Sequence, residues 1–555
     1  MVPARRTRLG RSGIGERAST LGRHAVALGA GALLACAFAP LQWWPLALVS
    51  PAVLLGLWER SSARQAAWLG FSFGFGTFAA GTYWLYFAIH TVGHAPIWLT
   101  LFAVLGLMGL MAAYHGLTGY VVVRYFPSGP ARWLLAAPTV WLLAEWLRGW
   151  LLSGFPWLSL GYTQTDTLLG RLAPLGGVYG VSLVLLLGAG ALVALVRGSA
   201  RVRVLAAAAL LVPWLVGAAL GGVAWTHPSG RPVSVALVQG DISQQDKWAP
   251  ERAERILARY QRLTESAFGA QLIVWPESAL PELVNNLFPY VEHLDIAARQ
   301  HGSALVLGVL RESSSGRYYN SILALGNRAS WYDKDHLVPF VESIPLPRFV
   351  RHWLERMNLP YSSFTPGGRR QKPLPVAGLE LGPTVCYEVA YGGYMLRMLP
   401  RANALVNVTD DAWFGNTTEL PQQFQMARMR AQEEGRFMIV STDDGISGVI
   451  GPQGEVIARA PTMRPFVLRS AVTPMSGMTP FARVGNGLAV LLSLGALAAA
   501  FAALGAKLAE CTMPEPALRE VYGAAWLLLR PDLHVAWRGE TPPGAALARR
   551  VTGHG

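Results

Sequence analysis

Charge is scarce in this chain and cysteine scarcer. Only 14% of its 555 residues are charged, and three are cysteine, Cys36, Cys386 and Cys511. Three thiols spread so widely exclude a disulfide scaffold. No His or Cys pair stands at metal-ligand spacing and no glycine-rich phosphate loop follows a strand-like run, so neither a metal nor a cofactor is expected. Lysine is sparse as well: Lys247, Lys334, Lys372 and Lys507 stand against 43 arginines. A compact ammonium with rotatable donors does what a planar guanidinium does poorly, so Lys334 draws attention.

Apolar residues fill the chain instead, at 52%, which argues for a membrane protein. Runs close to the ~20 residues that cross a bilayer lie at 24–39, 44–58, 66–89, 97–123, 133–152, 174–196, 204–225 and 484–506. Eight transmembrane helices are expected, the first two short enough to form a re-entrant pair instead. Short cytoplasmic loops collect Lys and Arg. The N-terminal arm carries Arg5, Arg6, Arg8, Arg11, Arg17 and Arg23, and every second loop after it is basic, whereas "HTVGHAP" (90–96) has neither residue. Both termini are therefore expected in the cytoplasm. The net charge of +14 is mostly membrane-flank arginine and gives no reason to invoke nucleic acid. "LLACAFAP" (33–40) imitates a cleavage site at Cys36, but the long basic arm and the many later runs favour a retained first helix. The expected organisation is a basic arm (1–23), a membrane domain of about seven helices (24–225), an external domain (226–483), a last span (484–506) and a disordered cytoplasmic tail (507–555).

Within 226–483 the pattern changes. Strand-like runs at 233–242, 270–278, 303–312, 318–325, 379–388, 402–411 and 436–445 alternate with helical ones at 251–268, 285–302 and 421–435. Near-continuous apolar strands between amphipathic helices predict a layered α/β domain. Glu277, Lys334 and Cys386 each follow a separate strand-like run, where such domains usually build their sites. Each also has a plain reading: a helix cap, a surface charge, a core thiol. Cys386 is the only cysteine of this domain, which leaves three options open: an inert buried residue, an intermolecular disulfide, or a nucleophile.

"VWPES" around Glu277, "YDKDHLVPFVE" around Lys334 and Glu342, and "TVCYEV" around Cys386 resemble the triad motifs of the nitrilase (carbon-nitrogen hydrolase) superfamily. The plan of apolar runs, domain and final run, with "DAWFGNT", "QFQMARMRAQEEGR", "VIGPQGEV" and "SGFPWLSLGY", resembles the apolipoprotein N-acyltransferase family over about residues 20–508. The resemblance implies a polytopic helical membrane domain plus an αββα sandwich. It implies Glu277, Lys334 and Cys386 as catalytic residues, with Glu342, Tyr387 and Glu388 in support. Trp248 as a lid, and Trp413, Phe414, Tyr83 and Trp157 as lid or substrate contacts, are further expectations. The implied reaction moves an acyl chain from a membrane phospholipid to the α-amino group of a diacylglyceryl-modified N-terminal cysteine of apolipoproteins, through a thioester on Cys386, on the periplasmic side of a bacterial inner membrane.

Val341 and Ser343 depart from the family's pattern, and Asp410, Asp443 and Asp444 stand where asparagine is more familiar. Two rivals compete. A membrane-anchored carbon-nitrogen hydrolase would use the same triad with water as acceptor. A non-catalytic scaffold or transporter is disfavoured because the apolar runs hold few ionisable residues, Glu145 being the main exception. "LLLRPDLHVAWRG" (527–539) resembles the terminal stretch of flavin-dependent aromatic hydroxylases, too short a piece to carry their function.

Overall fold

The computed structural model describes residues 12–339, 341–343, 364–503, 526–529 and 535–539. Cys511, Lys507 and the first eleven residues of the basic arm lie outside them. Each of the eight apolar runs contains a helix. The first seven are α1 (Ser12–Ala35), α2 (Leu46–Trp58), α3 (Ala63–Gly81), α4 (Ile97–Tyr125), α5 (Ala137–Arg148), α6 (Ala173–Arg197) and α7 (Ala200–Ala219). Three stretches, Ile97–Tyr125, Leu168–Arg197 and Ala200–Gly222, are long and apolar enough to cross a membrane, while Leu46–Trp58 and Gly487–Ala502 are apolar but shorter. Start signals are local: Ser62 and Gln65 form a reciprocal capping box at α3.

The run at 66–89 is not one helix. Thr82 turns both its N–H and its hydroxyl onto the Phe78 carbonyl, and the chain restarts as a separate turn over Trp84–Val92.

The following domain holds two six-stranded sheets. The first orders its strands β12-β1-β2-β3-β4-β5, from β1 (Val233–Gln239), β2 (Leu272–Val274), β3 (Ala304–Glu312), β4 (Tyr318–Leu325), β5 (Ala329–Asp333) and β12 (Phe466–Val472). The second runs β11-β10-β9-β8-β7-β6, from β6 (Leu374–Val376), β7 (Leu379–Val385), β8 (Ala404–Thr409), β9 (Met438–Thr442), β10 (Gly448–Ile450) and β11 (Val456–Arg459). The central strands β1, β2 and β3 pair in parallel, as do β7, β8 and β9. One core, with Leu237, Val274 and Val306 from the first sheet and Val385, Val406 and Ile439 from the second, joins the sheets face to face. On the outer side of the first sheet lie α8 (Ala253–Ala267) and α9 (Phe288–Gln300). On the outer side of the second lies α10 (Glu419–Glu434). Strands buried on both faces have no polar side to show, which is why they read as continuous apolar runs.

The last apolar helix, α11 (Gly487–Ala502), follows the domain. In the tail expected to be disordered, Trp526–Leu529 and Val535–Gly539 pair as antiparallel strands. Each segment carries a Trp, and the second a Val, residue types that favour a pleated strand.

Candidate active site

Three strand ends converge. Beyond β2 the chain runs along β3, with the Trp275 N–H on the Val306 carbonyl (2.8 Å) and the Ala279 N–H on the Gly308 carbonyl (3.0 Å). A Cβ at Gly308 would stand 2.2 Å from the Pro276 carbonyl oxygen, so glycine is needed for the Glu277 backbone to lie this close. Lys334 follows β5, its N–H on the Asn320 carbonyl at 2.8 Å, while its neighbour Asp333 is gripped by Arg311 at 2.6 Å. Cys386 follows β7 at φ +52°, an unusual backbone conformation for a residue with a Cβ. That conformation is over-determined by neighbours. Asn407 donates to the Cys386 carbonyl (3.1 Å), and the Glu388 carboxylate accepts from the N–H groups of Val385 (2.9 Å), Asp335 (2.8 Å) and His336 (2.9 Å) and from the Tyr332 hydroxyl (2.9 Å). Glu388 thus fastens the cysteine loop to the lysine loop.

Lys334 Nζ lies 2.9 Å from Glu342 and 3.5 Å from Glu277. Asn320 Nδ2 bridges the same two carboxylates at 2.6 Å to Glu277 and 3.0 Å to Glu342. The other Glu277 oxygen accepts the Asp410 N–H at 3.0 Å, and Glu342 also accepts the Val338 N–H at 2.8 Å. Glu277, Lys334 and Glu342 are buried, at 6%, 1% and 8% exposure, while Cys386 stays partly open. Burial alone would depress the Lys334 ammonium, but Glu342 and Glu277 outweigh it and hold it charged. Burial raises Glu277 above its ordinary range, and Glu342 and Asp410 push the same way against Lys334. The Cys386 thiol is pushed well up by burial and by the Glu277 charge, with Lys334 opposing. A thiol in this setting is a protonated nucleophile beside a base, with a fixed cation next to both.

Tyr387 reaches the other way. Its hydroxyl and that of Tyr391 both donate to the Gly154 carbonyl, at 2.9 and 2.8 Å, and its ring lies nearly parallel to Trp157 at 6.4 Å. The Gly154 loop is braced from beneath by Arg148, which donates to the Phe155 and Trp157 carbonyls at 2.6 Å each. Glu145, the ionisable exception among the apolar runs, accepts from the Ser182 hydroxyl (2.6 Å) and the Leu160 N–H (3.3 Å), so it serves loop structure. The aromatic cluster continues through Trp84 to Phe414, 5.1 Å apart at each step. Trp413 is partly buried beside Phe414 in the chain. Tyr83 and Trp248 are both 46% exposed and make no ring contacts among the described residues. Of the two other departures, Val341 is 53% exposed and Ser343 donates its N–H to the Val338 carbonyl at 3.3 Å, within the turn that presents Glu342.

Lys247 escaped the sequence reading. It is fully buried, 2.5 Å from Asp410 and 3.5 Å from Asp443, while Asp443 also accepts from the Tyr260 hydroxyl at 2.6 Å. Asp410 and Asp443 outweigh the burial that would neutralise the Lys247 ammonium. The scarcity of lysine was the signal that could have found it. Asp444 lies outside this pairing; burial and its acidic neighbours lift it to about 9, so it carries a proton at neutral pH. Among the described residues no three His, Cys, Asp or Glu side chains form a group able to hold a metal ion.

Residues 30–191 match the model of the apolipoprotein N-acyltransferase N-terminal domain, and residues 234–473 match that of the carbon-nitrogen hydrolase domain. Relatives called apolipoprotein N-acyltransferase include one from Azotobacter vinelandii, 42% identical over 84% of this chain and 93% of its own length. Those from Pseudomonas putida and Chromobacterium violaceum are 40% and 39% identical, over 82% and 84% of this chain and 92% and 91% of their own lengths. With both halves matched and identity sustained across nearly the whole of these relatives, this chain belongs to the apolipoprotein N-acyltransferase family.

Proposed function

We propose that the chain transfers a fatty acyl group from a membrane phospholipid to the α-amino group of the diacylglyceryl-modified N-terminal cysteine of apolipoproteins, in two steps through Cys386. The observation that carries this reading is a buried lysine between two carboxylates beside a partly open thiol, on a loop fastened to the apolar helices.

In the first step Glu277 takes the Cys386 proton as sulfur attacks the ester carbon of the phospholipid. The oxyanion is met by the Lys334 ammonium and the Tyr387 N–H, both already in place, so little reorganisation is needed as charge develops. The C–O bond then breaks, and the leaving alkoxide takes the proton from Glu277 and departs as a lysophospholipid. In the second step the acceptor amine attacks the thioester carbon and passes a proton to Glu277. As the C–S bond breaks, that proton returns to sulfur. Glu342 and Asn320 keep Lys334 on its target; Glu388 is a positioning residue for both loops. The half-buried Phe414 ring lines the approach on the side of the helices, with Trp84 and Trp157 buried behind it, and Trp248 is a lid.

The eight helices are read as eight spans with both termini in the cytoplasm, so residues 226–483 form an αββα catalytic domain on the periplasmic face of the inner membrane. A hydrolase with the same triad would hand the acyl group to water; a domain tethered beside apolar helices favours a phospholipid as the acyl donor.

Incubating the purified chain with phospholipid and weighing it intact tests the covalent step. The native chain is expected to gain one acyl mass that Cys386→Ala lacks, while the variant melts at the same temperature. Product formed without an adduct on Cys386 would remove the thioester route.

A further inference from the structure

Between the helices and the catalytic domain lies a second recess of about 840 Å³, lined by neither Glu277, Lys334, Glu342 nor Cys386. The helices contribute Trp44 and Trp214, whose rings stand 5.0 Å apart, together with Arg171. The domain contributes Arg428, which is already committed to Asp166 and, at 2.7 Å, to the Gly454 carbonyl. Arg171 is exposed and makes no hydrogen bond or ion pair among the described residues. It is also the one basic residue between Gly149 and Leu172. Its guanidinium lies over Gly221 at the end of α7, where a Cβ would stand 2.1 Å from Nη1. Further along α7, on either side of Trp214, Leu211 and Leu215 are 58% and 67% exposed, on a helix long and apolar enough to cross a membrane.

An unpaired cation at one end of α7, with a tryptophan pair and exposed leucines flanking it further along, matches an amphiphile whose anionic group sits above its chains. A free anion would use the first feature and leave the other two without purpose. We propose that this recess binds a glycerophospholipid that is not consumed, with its phosphate on Arg171, its glycerol region against Trp44 and Trp214, and its chains along Leu211 and Leu215. The inference rests on α7 crossing the membrane and does not require the thioester route.

The test uses the full chain carrying Cys386→Ser, so that no probe is consumed, purified in detergent and titrated with short-chain phosphatidylglycerol while bound lipids are counted by native mass spectrometry. Arg171→Glu is expected to weaken one site by about tenfold or more, and Arg171→Lys by no more than about threefold. Trp214→Ala should weaken the same site with the charge intact, which keeps the test open should Arg171→Glu fail to fold. Sodium phosphate at matched concentration is expected to leave that lipid bound. Equal lipid counts and affinities in the parent and Arg171→Glu, no effect of Trp214→Ala, or displacement by phosphate alone would each overturn the proposal.

Discussion

A carboxylate serves as a base only while ionised, and at Glu277 burial works against that state. Its raised proton affinity places the acid limb of kcat/KM above the ordinary carboxylate range, because activity is lost as pH falls through the value in the folded protein. Asp410 contributes to the rise through its charge, while its backbone N–H, which any residue would supply, holds the other oxygen of Glu277. Asp410→Asn is therefore expected to move the acid limb to lower pH with the Glu277 geometry retained. A pH–rate profile of the variant that superposes on the parent's would refute this. Lys247→Met should act differently, costing about 3–5 kcal/mol of stability by stranding two buried carboxylates. Glu277, Lys334 and Cys386 stood out as candidates because each follows a strand-like run and sits in a distinctive motif. Asn320 was not, since an asparagine inside an apolar strand shows nothing of its two carboxylate partners until the strands are paired.

Among the elements, α10 was legible as a helix but not as a buried one. "QFQMARMRAQEEG" has the look of a polar surface helix, yet it is buried almost throughout. The reason is that its polar side chains satisfy backbone groups where the neighbouring helices break. Gln422 donates to the Gly81 carbonyl (3.2 Å), Gln425 accepts the Ala39 N–H (3.2 Å), Gln432 donates to the Thr165 carbonyl (2.9 Å), and Glu433 accepts the Val178 N–H (2.6 Å) just beyond the kink at Gly177. A buried N–H without a partner costs about 1–3 kcal/mol. Glu433→Ala should lose at least that and lower the melting temperature in detergent, whereas Glu433→Gln, which keeps an acceptor, should lose less. Equal melting of the two variants would show that the Val178 bond carries no weight. The strands β1 to β4 and β7 to β9 were readable from their β-branched apolar runs. Strands β5, β6, β10, β11 and β12 were missed: β6, β10 and β11 are three or four residues with no longer apolar run around them such as β2 has, and β5 and β12 mix polar or charged residues with the apolar ones.

For the whole molecule, composition pointed to a membrane while the number of crossings was harder to read, since glycine-rich α3 packs within the helical core and need not be uniformly apolar, and α5 has only twelve residues. Orientation is open to a direct check in cells. With the native cysteines replaced, Ser315→Cys in the catalytic domain and Ser199→Cys between α6 and α7 are both exposed positions. A membrane-impermeant maleimide added to spheroplasts is expected to label the first and spare the second; the reverse pattern would invert the topology.

The tyrosine bonds to Gly154 set a height as well as a contact. Under the proposed topology and mechanism, a sulfur whose loop is pinned to a loop between apolar helices keeps one altitude above the bilayer, and a donor reacts only when its ester rises to that level. Headgroup bulk is then felt in how easily a lipid is lifted, whereas the far end of its chain remains in hydrocarbon, beyond the enzyme's grasp.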